Sequence, residues 1–276
     1  MMNTDFKYCE NLIKKESKSF YTAFSALPEK KAYAVFSVYA FCRTADNITD
    51  NEKSAEKLLI LEKDLENFKN GIIKETPVFR TLKWVFDNFG LSIKPFLGMI
   101  NGQKSDIFFK QPETQENLED YCYNVAGTVG LMLNPILAEK NYPKLEDAAV
   151  YLGKAMQLTN ILRDLGEDYD NGRIYIPKDV MKKFNYNEKD FNLKISDDRF
   201  IKLFEYEAQK ADFFYEKFFE YFDLYDEDSK IHLKASAVIY REILNKIRKN
   251  NYNSMKKRNY LSLSEKLKIL NTIKGG

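Results

Sequence analysis

Nowhere in this 276-residue chain do apolar and polar side chains alternate over a sustained run of β-branched residues, whereas apolar positions recur at three- and four-residue spacing throughout. That pattern leaves no sheet to build and predicts an all-α fold. Pro28 with Glu29 opens a strong segment, because proline suits a first helical turn and an acid there suits the helix dipole. It is expected to reach about Asp50, with other helices over roughly 4–24, 53–70, 77–110 with a break near Gly90, 115–138, 144–168, 197–224, 228–250 and 262–274. Between Tyr169 and Pro177 the turn residues Asp170, Asn171 and Gly172 predict a loop. No internal repeat and no linker rich in Gly, Ser or Pro interrupts the pattern, so residues 1–276 read as one domain.

Charge narrows the function. Lysine and arginine number 43 against 41 acids, so no global field is available to hold a nucleic acid. Cys9, Cys42 and Cys122 are odd in number and far apart, which fits neither a disulfide framework nor a zinc site and points to the cytoplasm. The N-terminal residues lack the apolar core of a secretory signal. Tyr121 to Ala138 carries no charge and approaches the ~20 residues of a membrane span. It also holds Asn124, Gly127, Gly130, Asn134 and Pro135, and a buried helix is expected. The 21 Phe and 18 Tyr fit either bulky core filling or the walls of a long apolar cavity. Nothing in the sequence calls for an obligate protein partner.

Two polar stripes carry the chemistry. On a helix, Tyr39, Arg43, Asp46 and Asp50 fall on one face beside apolar Val35, Val38 and Cys42. Gly153, Gln157, Asn160, Asp164 and Asp168 repeat the arrangement at steps of four, three, four and four. One such stripe could be a solvated face paired with lysines. Two of them, built from carboxylates and a carboxamide with no His or Cys nearby, suit Mg²⁺ held by few protein oxygens, water and substrate phosphates. The substrate class this implies is a diphosphate, and the reaction its ionisation to a carbocation.

These residues resemble the squalene/phytoene synthase family, in particular its bacterial dehydrosqualene (4,4'-diapophytoene) synthases, over nearly the whole chain. Tyr121-Cys-Tyr-Asn-Val125-Ala-Gly127-Thr-Val129-Gly130 matches one family string. A second runs from Leu152 and Gly153 through Gln157, Asn160, Arg163, Asp164, Glu167 and Asp168 to Arg173, Tyr175 and Pro177. In the first aspartate motif, Arg43-Thr-Ala-Asp46-Asn-Ile-Thr-Asp50, Asn47 replaces an aspartate often found there. Ser17-Lys18-Ser19-Phe20 is similar to the family's Ser-x-Ser-Phe segment, and Glu16 stands where close relatives carry a basic residue.

The resemblance implies a helical bundle of the isoprenoid synthase type with a central apolar cavity. It implies Mg²⁺ on Asp46, Asp50, Asn160, Asp164 and Asp168, diphosphate contacts from Lys18, Ser19, Arg43, Arg163, Tyr240 and Arg258, and a substrate-binding segment from Ser17 to Phe20 that helps close the site around the diphosphate. Tyr39, Tyr121, Phe20, Val125, Val129 and Gln157 would line the site, with Phe24 and Phe36 near its far end, where bulk sets chain length. The implied reaction joins two farnesyl diphosphates head to head through presqualene diphosphate to a thirty-carbon triene, with no NADPH. Squalene and phytoene synthases remain alternatives, as do a head-to-tail prenyl synthase, a terpene cyclase and a non-catalytic homologue. Transient contact with the inner membrane surface is expected, because substrates and product are lipophilic and the basic stretch around Lys246, Arg248, Lys249, Lys256, Lys257 and Arg258 could meet anionic lipid.

Overall fold

The computed structural model describes residues 2–275, and every regular element among them is helical. At the centre lies α9 (Glu146–Asp170), whose 25 residues cover about 37 Å at 1.5 Å per residue. Its apolar face, including Leu152, Ala155, Leu158, Leu162 and Leu165, is buried against α12 (Asp198–Glu220), α13 (Glu227–Lys249) and α8 (Thr128–Leu137). The opposite wall is α3 (Glu29–Asn47), which packs on α1 (Met2–Glu16), α5 (Pro77–Asn88) and α8. One contiguous hydrophobic cluster runs through all of these layers, from Cys9 to Leu261. The charge-free segment is indeed internal: most of α8 is buried, and no helix of the described residues is long and apolar enough to cross a membrane.

Two small residues let the central helices close up. A Cβ on Gly130 would lie 2.2 Å from Ala149 O, and one on Gly153 would lie 2.3 Å from Ala126 O. The backbone over 126–130 and that of α9 therefore touch where any side chain would force them apart.

Several boundaries depart from expectation. The helix expected over 4–24 breaks at Ser17 into α1 and α2 (Lys18–Phe24), because Ser17 leaves the helical region at φ −140°. The segment expected to end at Asp50 turns into a π-helix over Ile48–Glu52, and a second π-helix, Tyr123–Gly127, separates α7 (Gln115–Cys122) from α8. Past Pro177 two short helices appear where none was expected, α10 (Lys178–Lys183) and α11 (Glu188–Asn192), the latter started by an Asn187–Asp190 capping box. The remaining helices are α4 (Ala55–Lys69), α6 (Lys94–Ile107) and α14 (Leu263–Gly275). At the end of the bundle remote from the aspartates, Lys31 at the start of α3 donates to Asp226 at 2.8 Å and to Asp228 at 2.6 Å, joining the first and last thirds of the chain.

Candidate active site

Both aspartate stripes open onto one polar cavity. Asp46 and Asp50 come from α3 and its π extension; Asn160, Asp164 and Asp168 come from α9. The first stripe is not the regular helical face the spacing predicts. Because the backbone passes into the π register after Asn47, Asp50 ends half-exposed while Asp46 sits deeper. π segments of this kind are commonly found at functional sites.

The carboxylates sit in tension with their surroundings. Burial, with Asp50 alongside, pushes the Asp46 carboxyl up to about 7. Burial, with Asp164 alongside, does the same to Asp168. Partial relief comes from neighbours. Gln103 Nε2 donates to Asp46 Oδ1 at 2.7 Å, and Arg173 lies 3.6 Å from Asp50. Asp164 is gripped by Arg163 through two bonds of 2.8 and 2.6 Å and by Arg258 at 3.1 Å. Arg258 also reaches Glu167.

A fifth acid in this cavity was not foreseen. Asp106, on α6, accepts from the Tyr121 and Tyr175 hydroxyls, each at 2.9 Å, and those two rings stack with centroids 5.0 Å apart. Burial raises its carboxyl above the usual range. Its signal in the sequence was faint: Gln103 and Asp106 share a helix face at a step of three, without a second acid one turn away.

An apolar chamber adjoins the polar cavity, and Val125, Gln157 and Asn160 line both. Phe20, Phe24, Val129 and Tyr240, the last singled out for diphosphate contact, line the chamber. Phe36 does not; it is buried with its ring against Tyr21. Tyr39 lies outside both linings, 6.1 Å from the Phe20 ring between centroids. Arg43 is likewise outside them and is held by Glu16 at 3.0 Å, so the residue that departs from the family pattern neutralises an arginine assigned to diphosphate. Ser17 caps α2 and Lys18 and Ser19 open it, and none of the three lines either cavity. Lys266, also unforeseen, reaches across from α14 to donate to Ser19 Oγ at 2.7 Å, and burial together with nearby Lys18 lowers its ammonium.

The donor set fits a hard divalent cation. Asn160 Oδ1 is buried with no hydrogen-bond partner, and the acids around it face one another without full compensation. All available donors are oxygens, the preference of Mg²⁺. No three Asp, Glu, His or Cys side chains among the described residues converge into a cage of their own, so an ion here would complete its shell with water and substrate oxygens.

Comparison with known proteins agrees with this geometry. A squalene/phytoene synthase family profile matches residues 13–265. The chain is 35% identical over 278 residues to the 4,4'-diapophytoene synthase of Staphylococcus haemolyticus (strain JCSC1435), covering 99% of this chain and 97% of that one. It is 34% identical over 277 residues to the 15-cis-phytoene synthase of Synechococcus elongatus (strain ATCC 33912 / PCC 7942 / FACHB-805), covering 95% and 90%. A crystal structure of a dehydrosqualene synthase in complex with a ligand superimposes with a TM-score of 0.95 at 46% identity, covering 99% of this chain and 96% of that one.

Proposed function

The chain belongs to the squalene/phytoene synthase family and is a prenyltransferase of that type, and from this premise we propose that it condenses two farnesyl diphosphates head to head to dehydrosqualene. One observation carries the reading: an acidic cavity built from two opposed helices shares Val125, Gln157 and Asn160 with an apolar chamber. A molecule with a polyanionic head and a hydrocarbon tail suits that pair of spaces.

Asp46, Asp50, Asn160, Asp164 and Asp168 would hold Mg²⁺ together with the diphosphate. The metal would supply positive charge to the departing diphosphate. Around it, Arg163 and Arg258 exchange their grip on Asp164 for phosphate oxygens, and Lys18, Ser19 and Lys266 close from the α2 side. Arg43 is released from Glu16 in the same way. The Asp106 carboxylate fixes the Tyr121 phenol in the cavity wall, and the stacked Tyr175 ring keeps it from turning. Once the allylic bond ionises, Phe20 presents an aromatic face and no strong nucleophile, so the cation is stabilised without being trapped. The apolar wall excludes water while the second chain's alkene attacks, and the tertiary cation so formed closes the cyclopropane of presqualene diphosphate by losing a proton to the released diphosphate. A second ionisation, ring rearrangement and proton loss to the released diphosphate then complete the triene.

Purified protein incubated with farnesyl diphosphate and Mg²⁺, with and without NADPH, tests the reading. A thirty-carbon conjugated triene formed without NADPH, and suppressed by EDTA, is expected. Squalene formed with NADPH, or no diphosphate release from any prenyl donor, overturns it. The lipophilic product also implies a peripheral, reversible visit to the cytoplasmic membrane face. Much of the basic stretch singled out for that contact is already engaged: Lys246 pairs with Glu265, Arg248 with Glu205 and Asp212, and Arg258 with Asp164.

A further inference from the structure

Away from the aspartates, the apolar chamber follows three helices. Its wall passes from Asn160 to Ala149 along α9, from Val125 to Leu137 along the second π segment and α8, and from Tyr240 to Leu233 along α13. The stretch on α9 alone corresponds to about 16 Å at the helical rise per residue. Its middle is hydrocarbon, lined by Val129, Leu133, Leu152 and Met156.

The remote part of the lining is less apolar than its middle, because Asn134, Tyr225 and Ser236 also belong to it. Asn134 is 2% exposed; its Nδ2 donates to Tyr142 O at 2.8 Å, and its Oδ1 is buried with no partner. The Tyr225 side chain is buried, and burial alone raises its phenol, with no hydrogen bond contributing. Ser236 Oγ spends its proton on Leu233 O at 2.8 Å and keeps its lone pairs. Tyr225 is held in place by the next residue, since Asp226 N donates to Leu137 O at 3.2 Å and Asp226 accepts from Lys31.

Asn134 Oδ1, buried without a partner, incurs its full desolvation cost. A ligand group able both to donate and to accept would cancel it. We propose that this remote end is a hydrogen-bonding subsite for a prenyl diphosphate whose far terminus carries a hydroxyl, which donates to Asn134 Oδ1 and accepts from Tyr225 Oη. The inference rests on the prenyl-diphosphate reading above and extends it from the reacting head to the opposite tip of the chain. An all-hydrocarbon floor would reject such a substrate, because its hydroxyl would be buried unpaired.

The test compares kcat/KM for farnesyl diphosphate with that for its analogue hydroxylated on a terminal methyl, in wild type, Tyr225→Phe and Asn134→Leu. Wild type should use the hydroxylated substrate within about tenfold of the plain one, and each variant should lower that ratio by about tenfold or more. Taking the ratio cancels any loss common to both substrates. Tyr225→Phe removes one oxygen and leaves the Asn134–Tyr142 bond untouched, so it remains informative if Asn134→Leu fails to fold. Calorimetry of farnesol and its hydroxylated form on metal-free protein gives a readout without turnover, and the preference for the diol should be lost in Tyr225→Phe. Discrimination beyond about a hundredfold against the hydroxylated substrate in wild type, or equal ratios in all three proteins, means that the subsite holds water only and overturns the proposal. Should both alcohols bind while farnesyl diphosphate is not turned over, the condensation reading fails and the subsite stands.

Discussion

Asp46 and Asp168 carry an electrostatic load that the protein alone does not relieve, since each carboxyl is raised to about 7 by burial and by the aspartate beside it. Replacing Asp46, Asp50 or Asp168 by Ala should lower kcat by at least about a hundredfold, the scale of losing one transition-state charge partner. The melting temperature of the metal-free protein should stay level or rise. Asp164→Ala should also lose activity, yet its melting temperature should fall, because Arg163 and Arg258 would lose the acid that compensates them. Retention of activity within a few-fold in any of the four would break the link between the two faces.

Outside the site, a further buried acid adds to the pH dependence of stability. Glu207 on α12 is fully buried with Oε1 unpartnered, and burial raises its carboxyl to about 7. A carboxyl raised on folding destabilises the fold once ionised, so its penalty is absent below about pH 4.5 and complete above about pH 7. Glu207→Gln should therefore stabilise the protein at pH 8 by up to roughly 3 kcal/mol and not at pH 4.5, as read by urea unfolding. The sequence shows the four aspartates because each has a partner one turn away. It hides Asp106, Glu207 and Lys266, whose partners come from distant parts of the chain.

Helical elements were mostly legible, because the apolar spacing that defines them is local. The π segments were not: a single α stripe and a π bulge share nearly the same residue pattern, and only the carbonyl chosen by each N–H separates them. Helices α10 and α11 escaped notice because six and five residues are too few to display a period. Gly130 and Gly153 were visible as letters, but their purpose depends on which backbone they face. Gly153→Ala should cost about 1–3 kcal/mol in denaturant unfolding, since the added methyl would meet a rigid carbonyl at 2.3 Å. Gly127→Ala should cost less, because its nearest obstacle is the Tyr123 side chain at 3.1 Å, which can turn aside. Equal losses at the two sites would mean that close backbone approach is not what Gly153 provides.

At the scale of the whole molecule, chain length is set where the chamber ends. Phe24 forms part of the chamber wall and Phe36 does not, so the two are not equivalent. With geranylgeranyl diphosphate supplied, Phe24→Ala should raise the forty-carbon product well above wild type, and Phe36→Ala should raise it less. Efficient wild-type use of both substrates would remove length gating altogether. The position of each phenylalanine along the chain was readable; its depth in the wall was not, because depth depends on how α2 tilts after the break at Ser17. The Lys31 clasp has a consequence for biosynthesis. Its acids lie 195 and 197 residues further along the sequence, so a nascent chain leaving the ribosome exposes α3 long before Asp226 and Asp228 exist to receive the lysine. Vectorial folding from the N-terminus can therefore supply the first aspartate wall but cannot close the chamber, and until synthesis nears its end the unfinished apolar surface is open to chaperones and aggregation.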